Sequence, residues 1–131
     1  MADYSNSKYE ITILEDYIFK LKPFEGVEID LEDAREMRRV YLKFSEGRPF
    51  AILLDATQNF TPTDEARRLI ASKEFTEKRF AAAFVTTTLA NKIIGNFFIK
   101  FNKPASPTKL FNDEETALHW LREQKRIAGI K

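Results

Sequence analysis

The chain has 131 residues, 44% hydrophobic and 31% charged, with a net charge of +1; this fits one folded domain and gives neither a disordered chain nor the one-sided basic field that nucleic acid needs. It has no cysteine and a single histidine, His119, so disulfides, thiolate zinc sites and a cysteine nucleophile are excluded, and a metal site would need carboxylates around at most one imidazole. MADYSNSKYE has no apolar core of a signal peptide and no window approaches the ~20 apolar residues of a membrane span, so a cytoplasmic protein without a cofactor is expected.

Residues 1–7 are small and polar and are expected to fray. Tyr9, Ile11 and Ile13 alternate with Glu10 and Thr12, and after Glu15-Asp16 the alternation resumes with Tyr17, Phe19 and Leu21 against Lys20 and Lys22. Two period-2 runs around an acidic turn predict a β-hairpin, which Pro23 ends. Asp30 stands as N-cap of a helix in which Leu31, Ala34, Met37, Val40, Tyr41 and Phe44 keep helical spacing to about Glu46, with Gly47 as the stop. PFAILLD, 49–55, is a continuous apolar run and predicts a strand covered on both faces.

A second helix is expected from about Pro62 to Ser72, with Thr61 as N-cap, Pro62 at N1 and Asp64 at N3. RFAAAFVTTT, 79–88, predicts the next buried strand, its alanines leaving room for something bulky above. A third helix, about 88–101, is followed by a short strand TKLF. The last helix is capped by Asn112 or Asp113, with Glu115 placed for a capping box. The order ββαβαβαβα predicts an α/β fold with a mostly parallel mixed sheet and an antiparallel hairpin at its start. No linker or repeat divides it, so 8–125 form a single domain between flexible ends at 1–7 and 126–131.

Three groups of residues carry the functional expectations. Asp55 ends a central strand, where open α/β sheets place ligand crevices, and its carboxylate either serves such a site or bonds its own turn. Thr57, Thr61 and Thr63 are hydroxyls near a helix start, candidates for phosphorylation as well as for capping. In the third helix Leu89, Ala90, Ile93, Ile94, Phe97, Phe98 and Phe101 spread over about 180° at 100° per residue, wider than the ~100° stripe that packing on one sheet face uses. Ile94, Phe97, Phe98 and Phe101 are therefore the candidate interface or ligand surface. His119 and the basic stripe Arg35, Arg38, Arg39 and Lys43 read as solvated surface.

The order of elements and the stretch ILLDATQNFTPTDEAR resemble the STAS/SpoIIAA-like fold of anti-sigma factor antagonists and sulfate-transporter tails. IIGNFFIKFNKPASPTKLFNDEETALHWL is similar to the C-terminal half of uncharacterised bacterial STAS/SEC14-type proteins. The resemblance implies a regulatory loop at 55–63. In antagonists that loop carries an Asp-Ser pair followed by glycine, and aligning Phe60 on its aromatic sets Thr63 at the phosphoacceptor, with Pro62 and Glu65 where aspartate and glycine would stand. The expected function is a non-catalytic regulatory domain that docks to a protein partner, as a homodimer in the simplest case. The alternative is a binder of a small apolar molecule or lipid in a phenylalanine-rich pocket. No G-x-S-x-G, P-loop or dinucleotide fingerprint is present, so no enzyme is expected.

Overall fold

The computed structural model of the protein describes residues 1–130. In chain order the elements are β1 (Tyr4–Ser5), β2 (Tyr9–Glu15), β3 (Ile18–Pro23), β4 (Glu28–Ile29), α1 (Leu31–Ser45), β5 (Phe50–Ala56), β6 (Thr61–Pro62), α2 (Asp64–Ala71), β7 (Arg79–Thr86), α3 (Leu89–Phe97), a π turn (Phe98–Asn102), β8 (Thr108–Phe111) and α4 (Glu114–Ile127). The expected order is present, with the two-residue strands β1, β4 and β6 added to it. Tyr4 and Ser5, expected in a frayed end, pair with Ile11 and Glu10. At the other end the helix runs to Ile127, and Lys131 of the flexible end expected at 126–131 lies outside the described residues.

The main sheet runs β1-β2-β3-β5-β7-β8. Its first three strands are antiparallel, and β3, β5, β7 and β8 are parallel. Side chains of β5 alternate between two cores. Ile52 joins Phe19, Leu21, Met37 and Tyr41 beneath α1, whereas Ala51 and Leu53 join Ala81, Ala83, Ala117 and Leu121 beneath α4. The small residues of β7 on that second face admit α4 closely, as the alanine run implies. Phe19, Tyr41 and Phe50 form an aromatic knot with ring centroids 5.4–6.3 Å apart, which accounts for part of the phenylalanine excess.

The helix ends follow local chemistry. Asp30 caps α1 in a reciprocal box with Asp33, each carboxylate accepting the other's backbone N–H at 2.9 Å. Helix α2 starts two residues later than its sequence suggests. Thr61 is not its cap: Thr61 N–H donates to Val27 O and Thr63 N–H to Ile29 O, so 61–62 become strand β6 beside β4. Pro62, without an N–H, occupies the position between those two bonds and loses nothing. The cap falls on Thr63, whose Oγ1 accepts Ala66 N–H at 3.1 Å, and Asp64 moves to the first helical position.

At α4 the cap is Asp113, not Asn112. This places Glu115 one position short of a capping box, and Thr116 takes the third position with its hydroxyl 3.1 Å from the cap. Farther along, Arg122 grips Glu15 at 2.9 Å and Lys125 donates to Asp16 O at 2.9 Å, tying α4 to the β2–β3 turn.

The Asp113 carboxylate is held below its ordinary range by the Thr116 backbone N–H and, second, by the Thr116 hydroxyl. Folding therefore favours the ionised form. Its stabilisation is complete above the unfolded value of about 4 and fades as pH falls through the folded one. Asp113→Ala lowers the thermal midpoint at pH 7, and the gap to the parent narrows as the pH falls below about 4, as melts followed by circular dichroism will read.

Candidate binding site

Helices α1, α2 and α3 all lie on one face of the sheet, but α2 does not lie flat on it. It rests on α1 and on the π turn. The gap beneath is a partly open cavity of ≈ 100 Å³. Its floor is β5 and β7, where Ile52, Leu54, Ala82 and Phe84 point up, and Ala82 supplies too little side chain to fill the space. Met37 and Tyr41 close one side, Ile70 the top, and Ile94 and Phe98 the other side. At Gly95 the helix comes so close to β8 that a Cβ would stand 2.8 Å from Leu110 Cδ2.

The structure divides the four candidate residues of the third helix into two pairs. Ile94 and Phe98 face the cavity, and Phe98, 5% exposed, packs on Phe84 with ring centroids 5.7 Å apart. Phe97 and Phe101 face outward at 44% and 62% exposure, continuing a stripe begun by Leu89 at 74% and Ile93 at 60%. The regular helix expected to about 101 ends at Phe97, and the wider π turn follows. Such turns insert a residue into the helix and recur at functional sites. Here the turn lets Phe98 stay inward while Phe101 comes round to within 4.8 Å of Phe97. The Arg67 guanidinium lies over the Phe97 ring, 5.5 Å from its centroid.

The loop residues are brought to the same end of the sheet, each with a local bond. Asp55 Oδ1 accepts Thr57 N–H at 3.1 Å and the Thr57 hydroxyl at 2.6 Å, closing its own turn. Asp55 Oδ2 is 3.7 Å from Lys20 Nζ, which also pairs with Glu114 at 2.6 Å on the α4 face. Burial lowers the Lys20 pKa, but the Glu114 and Asp55 carboxylates outweigh it, and the net shift is upward. The carboxylate is thus part of an ion-paired strut from β3 to α4, not a wall of the cavity. Thr57 and Thr61 are exposed, and the Thr63 hydroxyl accepts at the helix start. No group of three His, Asp or Glu side chains converges as a metal would need among the described residues. His119 is exposed, and Trp120 packs at 5.5 Å on Phe111.

A family model for a domain of unknown function, DUF7793, matches residues 12–125. The chain belongs to the DUF7793 family. No curated protein matches it. Among solved structures, the DUF7793 chain is similar to an uncharacterised protein of the DUF3478 family with a SpoIIAA-like fold from Shewanella loihica PV-4. The TM-score is 0.61 at 19% identity, over 90% of this chain and 98% of that one. The fold of the DUF7793 chain is therefore SpoIIAA-like, with the parallel sheet, leading hairpin and four helices that the sequence implies.

Two residues of this DUF7793 domain escape sequence reasoning. Asn91 reads as an ordinary polar helix position, yet it is buried and its Nδ2 donates to both Ala56 O and Gln58 O at 2.7 Å. It thereby pins α3 to the loop that follows β5. Arg79 reads as a charged strand flank, yet it is buried beside the cavity. An arginine directly before FAAAFV is a weak sign of this, since a solvated flank looks the same. Asn91→Leu leaves both carbonyls without their donor, and unfolding in urea will show a loss of roughly 1–3 kcal/mol. Amide exchange will rise first in 56–59 and in the first turns of α3.

Proposed function

We propose that this SpoIIAA-like domain is a non-catalytic binding module that docks to a protein partner through the outer face of α3, with a second copy of the chain as the simplest partner. The observation that carries this reading is the row Leu89, Ile93, Phe97 and Phe101, all apolar and all exposed. At a four-residue spacing it forms one continuous stripe about 18 Å long. Contiguous apolar surface of this kind marks interaction sites on folded proteins, and a two-fold arrangement would let a single stripe serve both chains. The loop 56–63 lies beside it, joined through Thr88 Oγ1, which donates to Asn59 Oδ1 at 3.3 Å, and through Asn91. A modification at Thr57 or Thr61 would change the charge next to the stripe, which is the form regulation would take here.

A second reading is favoured by a separate observation. The cavity between α2, α3 and the sheet is walled almost wholly by apolar side chains, and well-formed apolar pockets with a few polar groups are where small molecules bind. On that reading Ile94 and Phe98 line a ligand site.

Sedimentation velocity at tens of micromolar separates a dimer from a monomer. The parent chain will sediment as a dimer. Ile93→Asp with Phe101→Asp will sediment as a monomer with an unchanged circular dichroism spectrum, because both side chains are exposed. A parent that stays monomeric over the whole concentration range would count against self-association. Phe98→Asp is the wrong probe for this face: it buries a carboxylate against Phe84, and loss of the folded state is the expected result.

A further inference from the structure

The cavity wall carries two cationic groups, Arg79 and Arg67. Arg79 is 5% exposed. Its Nε donates to Ser106 Oγ at 3.3 Å and its Nη2 to Ile70 O at 3.0 Å, and the Phe75 ring centroid lies 5.8 Å from its Cζ. A guanidinium has five N–H donors, so these two bonds leave much of the fork unused. No carboxylate forms an ion pair with Arg79 among the described residues. Burial pushes its pKa down to about 10, which still leaves it charged at neutral pH. Arg67 donates through Nη1 to Pro62 O at 2.8 Å and through Nη2 to Asp64, and its Nε is buried without an acceptor. Buried charges are ordinarily paired. Here a buried cation without a carboxylate and an orphan N–H border the same apolar space.

We infer that the cavity takes a small amphipathic monocarboxylate, its head group held by the Arg79 fork with Arg67 beside it and its hydrocarbon tail lying against Leu54, Phe84, Ile94 and Phe98. The planar fork of arginine matches a carboxylate with two parallel bonds, which no neutral head group reproduces. Size restricts the tail. A cavity of about 150 Å³ holds benzene, and the ≈ 100 Å³ here admits a slender chain rather than a fused-ring system. The inference rests on the second reading above, that this cavity is a ligand site, and adds the chemistry of the head group. A purely structural Arg79, clamping the end of α2 to the 103–107 loop, would also make the two bonds seen but would not tell an acid from an alcohol.

Calorimetric titration of the full chain with butanoate, hexanoate and octanoate, and with the matching 1-alcohols, decides it. The expected result is binding of each acid at least tenfold tighter than its alcohol, rising about fourfold per added methylene until the tail fills the space. In Arg79→Met that preference falls to within twofold while hexanol still binds. Should that variant fail to fold, the Arg79 guanidinium N–H resonances of the parent give the same answer, shifting with hexanoate and not with hexanol. Equal affinity for acid and alcohol would overturn the head-group inference and leave the apolar pocket standing. Binding of neither series would overturn both.

Discussion

The fold depends on the double pairing of β5. Phe50–Ala56 is hydrogen-bonded to β3 on one side and to β7 on the other, in parallel on both. A strand held in this way has no free edge, and its side-chain alternation assigns each residue to one of two cores. Shifting the register by one residue would send Ile52 and Leu54 towards α4 and Ala51 and Leu53 towards α1. The alternation therefore decides which face accepts a close helix and which leaves a gap. It also aims Asp55 at the α4 face and Ala56 at the cavity, so the end of this strand serves two purposes in consecutive residues.

Much of the architecture was legible because it is written locally. Period-2 runs, continuous apolar strands and capping carboxylates involve residues within a few positions of each other, and the hairpin, α1 and the buried strands stand where these patterns put them. Thr61 and Thr63 show the limit. Both satisfy the rules for an N-cap, and only the bonds from Thr61 to Val27 and from Thr63 to Ile29 choose between them. That pairing spans a whole helix and a strand, and no local pattern reports it.

The candidate site was legible in outline only. The width of the apolar arc on α3 showed that it had more to cover than a sheet face, but not that the π turn would send Phe98 inward and Phe101 outward. Asn91 and Arg79 were invisible for a related reason. The value of a buried polar side chain lies in what it meets, and both meet acceptors on other segments, Ala56 and Gln58 for Asn91, Ile70 and Ser106 for Arg79. The resemblance to SpoIIAA-like domains named a loop, whereas the geometry adds an apolar cavity between α2, α3 and the sheet.

The lengths of the outer strands carry a last consequence. One border of the sheet is β1, with two residues, and the other is β8, with four. Strand β1 pairs only with Glu10 and Ile11, and past it the Asp3 carboxylate accepts the Ile13 N–H at 2.7 Å, so a side chain stands where a further strand would have to pair. Assembly by strand addition therefore meets a short β8 at one border and a partly capped β2 at the other. The apolar surface left exposed is consequently side chain on α3 rather than backbone at a sheet border.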